Sequence, residues 1–191
     1  MSISWRVDLD RSLAAHGDDP VAKYLSLATV GYDTRPSNRM VVFRGFKPDT
    51  NELLIVSDGR ATKITEIRRN ARAEACWYFP KTREQYRIAG SVRVLDGSDR
   101  SMAQLRVDLW RGLTDDARKQ YTWPTPGTDW VPEKSFMFDE PAPNKAIPPI
   151  PFFVLMLSID AVDYLSLATT PPTRRKHEWA ENTWKVRQVN P

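Results

Sequence analysis

One cysteine and two histidines are all the thiol and imidazole groups in this 191-residue chain. Cys76 alone cannot form an internal disulfide. Its apolar setting, Ala75-Cys76-Trp77-Tyr78, reads as a small buried residue in a reducing compartment. His16 and His177 stand apart from Cys76 and from metal-spaced carboxylates, so no metal site is expected. The nucleophile elbow, the phosphate-binding P-loop and the dinucleotide fingerprint are all missing. No catalytic residue can be assigned from such a set. The chemistry would come from a cofactor, or the chain only binds. No apolar run approaches the roughly 18 residues that cross a bilayer. The start, Met1-Ser2-Ile3-Ser4-Trp5-Arg6, lacks the basic region and apolar core of a signal peptide, so a cytoplasmic location is expected. Neither sign of charge dominates: the net is +4, with basic and acidic residues intermixed. A nucleic-acid surface is allowed by that balance but not demanded by it.

Seven tryptophans and fifteen prolines, in contrast, are many for this length. Rigid apolar pieces of that kind serve cores, ligand sites and subunit surfaces. The length suits a single domain over residues 1–191, able to bury roughly 70% of its unfolded surface. Hydrophobic spacing predicts helices over 3–18, 62–70 and 98–120. Alternation and turn residues predict strands over 24–30, 39–46, 52–57, 73–79, 85–95, 152–157 and 161–167, and a last strand near Trp184. Gly90 marks a bulge inside the fifth of these. Between 123 and 151, eight prolines exclude long regular elements. Trp123, Trp130, Phe136, Met137 and Phe138 make that stretch an ordered lid or interface arm rather than a linker. At least six hairpin-connected strands with about three helices give a mainly β fold, a small antiparallel barrel with flanking helices.

The cations and hydroxyls are better organised than the acids. Arg39 and Arg44, five apart on one strand, point to opposite faces. Ser57 ends the next strand, and Thr62-Lys63 begins a helix, where backbone N–H groups and a lysine favour an anion. If the two strands pair through the turn at 48–51, Arg39, Ser57, Thr62 and Lys63 converge on one phosphate. The ordinary alternative is a capping threonine, a solvated lysine and an edge arginine.

Several of these segments resemble the pyridoxamine-phosphate oxidase family. Arg39-Met40-Val41-Val42-Phe43-Arg44 is similar to its Arg-(four residues)-Lys strand, with arginine in place of the lysine. Residues 55–63, ending Thr62-Lys63, resemble its strand–turn–helix segment ending Arg-Lys. Gln85 to Gly90 resembles its Gln-(four residues)-Gly strand. The ending, from Trp184 to Pro191, resembles its Trp-x-x-x-x-Leu-x-Pro terminus. The segment from Trp110 through Arg118 to Gly127 has a counterpart in a flavin-binding, oxidase-related branch. The four motifs fall in the family's order across nearly the whole chain.

The resemblance implies a split β-barrel homodimer with FMN in clefts between subunits. By position, Arg39 and Lys63 would hold the FMN phosphate with Thr62 helping. Met40, Val41, Val42, Val56 and Ser57 would line the ribityl and ring region. Arg44 would stand beside the flavin, Gln85 would bond the polar edge of the ring, and Arg174 or Arg175 would be the late arginine. The activity implied is an FMN-dependent oxidoreductase that takes a hydride from a small-molecule donor. Deazaflavin is an alternative cofactor for this fold.

Departures limit that reading. No Tyr, Arg and Ser trio spaced four apart occurs in residues 105–118, where the family clamps its substrate phosphate. Thr173-Arg174-Arg175-Lys176 replaces the late Arg-Leu-His motif, and Leu165 falls where the family has a flavin-contacting tryptophan. The substrate is therefore unassigned. A non-catalytic flavin carrier is a rival. So is a basic barrel binding single-stranded nucleic acid, with Arg35, Arg39, Arg44, Arg83, Arg87 and Arg93 for charge and Trp77, Tyr78 and Tyr86 for stacking.

Overall fold

The computed structural model describes residues 4–191. Helix α1 (Ser4–His16) precedes a β-hairpin of β1 (Tyr24–Val30) and β2 (Pro36–Phe46), then β3 (Leu53–Asp58) and helix α2 (Thr62–Arg69). Strands β4 (Arg72–Phe79) and β5 (Glu84–Leu95) follow, then helices α3 (Ala103–Arg111) and α4 (Asp115–Lys119). The chain ends with β6 (Phe152–Ser166), β7 (Thr173–Ala180) and β8 (Thr183–Val189). All eight strands form one antiparallel sheet in the order β3-β2-β1-β4-β5-β6-β7-β8, and β3 also pairs with β6. That pairing, from Leu53↔Leu157 to Asp58↔Phe152, closes six strands into a barrel. The β7–β8 hairpin extends from the second half of β6.

Burial follows the pleat. In β1 and β4 alternate residues turn inward, among them Leu25, Leu27, Ala75 and Trp77, while their neighbours stay open. Trp5 and Leu9 of α1 and Ile64 and Ile67 of α2 join this barrel core. β3 and the first half of β6 are buried on both faces, because a second cluster covers their outer side. In that cluster Trp110, Tyr121 and Phe152 pack edge to face, with ring centroids 5.0–5.4 Å apart.

Three sequence expectations change, those for β6, for the helix over 98–120 and for β7. The strands expected at 152–157 and 161–167 are one strand, β6, kept continuous by a register shift opposite Ala89 and Gly90. The helix expected over 98–120 breaks into α3 and α4, because Thr114 leaves the helical path and accepts a bond from Ala117 N at 3.3 Å as a new N-cap. β7 went unread because its residues, Thr-Arg-Arg-Lys-His-Glu-Trp-Ala, are mostly charged and show no hydrophobic alternation; Arg174, for instance, pairs with Asp163 across the ladder. The proline-rich stretch holds one short 3-10 element, Pro132–Phe138. The first helix begins at Ser4, and Ile3 of its expected span lies outside the described residues.

The last strand is docked. Trp184 lies 5.6 Å from Trp5 and 5.6 Å from Trp179, ring centre to ring centre, so β8 packs onto α1. His177 sits fully buried beneath that contact, its Nδ1 3.4 Å from Ser4 Oγ. Burial pushes its pKa down, the charge of Arg175 pushes the same way, and Asp8 opposes them. A depressed folded pKa means that the unfolded chain takes up the proton first as pH falls. The contribution of His177 is therefore fully present above the ordinary histidine value of about 6.5 and declines below it, by at most about 1.4 kcal/mol per pH unit. Denaturant melts between about pH 7.5 and 5 should show this loss, and His177→Phe should flatten it. An identical slope in the variant would assign the loss to other groups.

Candidate functional site

A large cavity, about 1570 Å³, lies between the β2–β3 side of the barrel and the segment that follows α3. Its floor carries Met40, Val42 and Arg44 from β2 and Val56 and Ser57 from β3. Arg60 and Lys63 stand at one end, at the turn into α2. The roof is aromatic: Tyr121, Trp123, Trp130 and Phe138. Trp130 stacks on Phe138 at 5.7 Å, and Trp123 is tilted against the same ring at 5.3 Å. Prolines 124, 126 and 132 restrict this stretch, whose one regular element is the 3-10 turn Pro132–Phe138.

The basic end of the cavity has the character of an anion site. Lys63 Nζ donates to Ser57 Oγ at 3.1 Å. Burial lowers the Lys63 pKa, and the nearby charge of Arg39 lowers it further, against weaker support from Asp58 and Glu66. A desolvated lysine beside a second cation gains most when an anion arrives. The N-cap of α2 is Ala61, which offers no side-chain acceptor to the first N–H groups. Arg60 is held by Asp58, which accepts from its Nε at 3.0 Å and its Nη2 at 2.6 Å. Asp58 also accepts from Arg60 N at 2.8 Å, which fixes the turn. Gly59 is required there, since a Cβ would lie 2.6 Å from the Phe153 ring.

Arg44 is half-buried, and its Nε has no hydrogen-bond partner among the described residues. Burial pulls its pKa down, with Tyr121 and Tyr24 opposing. It forms no ion pair among the described residues, so its charge is available to the cavity.

Arg39 faces the other way, as the five-residue spacing predicts. It points into the barrel, donating to Glu66 Oε2 at 2.8 Å, Ser37 Oγ at 2.6 Å and Leu27 O at 3.2 Å. Burial pushes the Glu66 carboxyl up, but bonds from Thr29, Ser37 and Arg39 more than offset that and hold it ionised. Ser57 and Lys63 therefore meet as expected from sequence. Arg39 approaches Lys63 from behind without opening on the cavity. Thr62 is exposed and does not line it. Val41 lines the cavity although nearly buried.

Gln85 and Arg174 form a separate group. Both neighbour Leu165 across the ladder, Gln85 from β5 and Arg174 from β7. Arg174 is bidentate to Asp163, at 2.9 and 2.8 Å. β1 and β4 separate β5 from the cavity floor on β2. Three interstrand steps amount to roughly 14 Å, while the other way round the barrel β6 alone stands between β5 and the floor strand β3.

Sequence reading named Trp123, Trp130 and Phe138 of the roof but missed Arg60. The available signal was Asp58-Gly59-Arg60, an Asx turn just before a helix, which reads as punctuation unless the arginine is counted. The nucleic-acid reading loses its parts. Trp77 and Tyr86 are fully buried. Arg35, Arg39, Arg87 and Arg93 are paired with Asp33, Glu66, Glu74 and Asp99.

The family profile described as "Pyridoxamine 5'-phosphate oxidase, FMN-binding domain" matches residues 2–96. The pyridoxine/pyridoxamine 5'-phosphate oxidase 2 of Arabidopsis thaliana is 35% identical over 193 aligned positions, 98% of this chain and 96% of that protein. A pyridoxamine 5'-phosphate oxidase-related, FMN-binding protein from Nostoc punctiforme superposes with a TM-score of 0.94 at 36% identity, covering 100% of both chains. PhzG of Burkholderia lata, solved with tetrahydrophenazine-1-carboxylic acid, shares the fold with a TM-score of 0.78 at 20% identity, covering 97% of this chain and 92% of that one.

The Arg39–Glu66 pair underlies the basic end of the cavity. Glu66→Ala leaves a part-buried guanidinium without its carboxylate and should cost about 3 kcal/mol in urea melts. A loss below about 1 kcal/mol would mean that water reaches Arg39 freely.

Proposed function

The chain belongs to the pyridoxamine 5'-phosphate oxidase FMN-binding family, and from that premise we propose that it is an FMN-dependent oxidoreductase working as a homodimer. The observation that carries this reading is the basic end of the cavity, where Lys63, Ser57 and Arg60 converge beside an uncapped helix start. Those groups suit a phosphate monoester: a desolvated lysine, a hydroxyl, a guanidinium and backbone N–H groups. Arg39 lies beneath them, its charge answered by Glu66. Thr62 contributes its backbone at the helix start. The apolar floor of Met40, Val41, Val42 and Val56 suits a planar ring system, and the cavity volume of about 1570 Å³ leaves room for a second molecule. FMN, when bound, supplies two-electron redox chemistry that the side chains lack. Arg44 would place an unneutralised positive charge beside it, where negative charge develops on reduction. The roof of Trp123, Trp130 and Phe138 would exclude water and orient a flat donor.

A second copy accounts for Gln85 and Arg174. Within one chain they stand apart from the cavity, on the outer face of the barrel. That face also exposes Tyr24, Met40 and Tyr78, at 46, 61 and 51%. Two-fold pairing of this face would carry Gln85 and Arg174 to the cavity of the partner subunit and would bury these apolar groups.

The absorption spectrum of the purified protein, with mass spectrometry of the released ligand, tests the cofactor. Absence of flavin and no binding of added FMN would overturn the reading; a released deazaflavin would replace FMN in it. Lys63→Ala and Arg60→Ala should each weaken FMN by about tenfold or more and leave riboflavin little changed. Equal losses for the two ligands would place the phosphate elsewhere. Tyr78→Glu should shift the protein toward monomer in sedimentation velocity and weaken FMN in parallel, by about tenfold. A monomer with full FMN affinity would remove the partner from the site.

A further inference from the structure

A second recess, about 650 Å³, shares no lining residue with the large cavity. It lies between the C-terminal half of α1, the β4–β5 turn and the β6–β7 loop. Four cations line it: Arg11, Lys81, Arg83 and Arg175. Two carboxylates answer them. Asp8 is shared by Arg11 at 2.8 Å and Arg175 at 2.6 Å. Glu84 is buried and already accepts Ser12 Oγ and Tyr164 OH, each at 2.6 Å, leaving only a long 3.6 Å contact to Arg11. Lys81 and Arg83 pair with no carboxylate among the described residues, and Arg175 Nε is buried without a partner. The recess is therefore lined by surplus positive charge, with hydroxyls of Thr169 and Thr173 on its wall.

The geometry is also fixed in advance. Arg83 O accepts from Leu167 N at 3.0 Å, which ties the β4–β5 turn to the β6–β7 loop. Lys81 N donates to His16 Nε2 at 3.1 Å, which ties the same turn to α1. Arg83 itself sits at φ +53, a left-handed conformation that costs a residue with a side chain roughly 1 kcal/mol and that glycine adopts freely. The turn thus carries a guanidinium where glycine would be the relaxed choice, and that guanidinium faces a recess with too few acids.

We propose that this recess is a binding site for a small multivalent oxyanion, a phosphorylated or polycarboxylated metabolite, separate from the large cavity. Arginine forks, a lysine point charge and hydroxyls together match such a ligand. The volume falls within the range of small-molecule sites. The site stands without the flavin reading. Its wall residues Glu84 and Arg175 do, however, adjoin Gln85 and Arg174 in sequence, so an occupant would sit next to the two residues offered to a partner's cofactor.

Calorimetric titration tests the site, using the full chain with FMN in excess so that the basic end of the large cavity is occupied. Inorganic pyrophosphate is the phosphate probe and citrate the carboxylate probe. At least one of them should bind saturably, once per chain, and bind less tightly as salt rises. Arg83→Gly should weaken that binding by about fivefold or more, as should Lys81→Ala. Arg83→Gly relieves the left-handed strain, so its melting temperature should hold or rise, which keeps misfolding apart from lost binding. Lys63→Ala should leave the affinity unchanged. No saturable binding of either probe up to about 10 mM would overturn the proposal, as would binding that Lys63→Ala abolishes and Arg83→Gly leaves intact.

Discussion

Closure of the barrel depends on one strand serving two partners at each end. β6 pairs its first half with β3 and its second half with β7, while β5 runs along nearly its whole length. A straight strand cannot hold both sets, so the ladder slips between Ala89 and Gly90 and the strand turns there. The slip brings backbone to backbone: a Cβ on Gly90 would lie 2.1 Å from Ser158 O. No other residue type fits that position without opening the ladder. The bend sets out both parts of the candidate site. Upstream of it, β6 holds β3 and the Ser57–Arg60 turn against Phe152 and Phe153. Downstream, it carries Leu165 and, through β7, Arg174. The α3–α4 cluster then covers the outer side of the β3–β6 pair and leads into the roof.

Much of this was legible because local chemistry and tertiary packing agree over the first half of the chain. β1, β4 and β5 alternate as half-buried strands must, and α2 shows its Ile64–Ile67 face. Gly90 announced the bulge. The later half disagrees with hydrophobic periodicity for identifiable reasons. β7 satisfies its outer face with ion pairs, so it has no apolar alternation to read. β6 contains Ser158 and Asp160 at its bend, which look like the end of a strand. The α3–α4 break rests on a single cap, Thr114, within a pattern that otherwise continues as helix. At the site, Lys63 and Ser57 were readable from their positions at a helix start and a strand end. The orientation of Arg39 was readable as a face. Its commitment to Glu66 was not, because Glu66 lies 27 residues away in sequence.

Several surface arginines are each met by a carboxylate: Arg35, Arg72, Arg87 and Arg93 are paired in this way. Such pairs add little stability, but they remove the field that would draw nucleic acid or other polyanions to the barrel. Four of the unmatched cations line concavities instead. Arg44 and Lys63 face the large cavity, and Lys81 and Arg83 face the smaller recess.

This division explains why Arg39 and Lys63 differ although they stand close together. Two cations in a partly dehydrated corner repel each other, and burial raises the cost of both. Glu66 removes half of the problem by neutralising Arg39 inside the barrel, supported by Thr29 and Ser37. Lys63 keeps only a hydroxyl, Ser57, which accepts its bond without cancelling its charge. The corner therefore carries about one unneutralised positive charge, presented by a side chain that is already held in place. Had the carboxylate faced Lys63 instead, the corner would be neutral and an arriving phosphate would compete with it. Placing the acid behind the pair keeps the fold stable and leaves the cavity short of one anion.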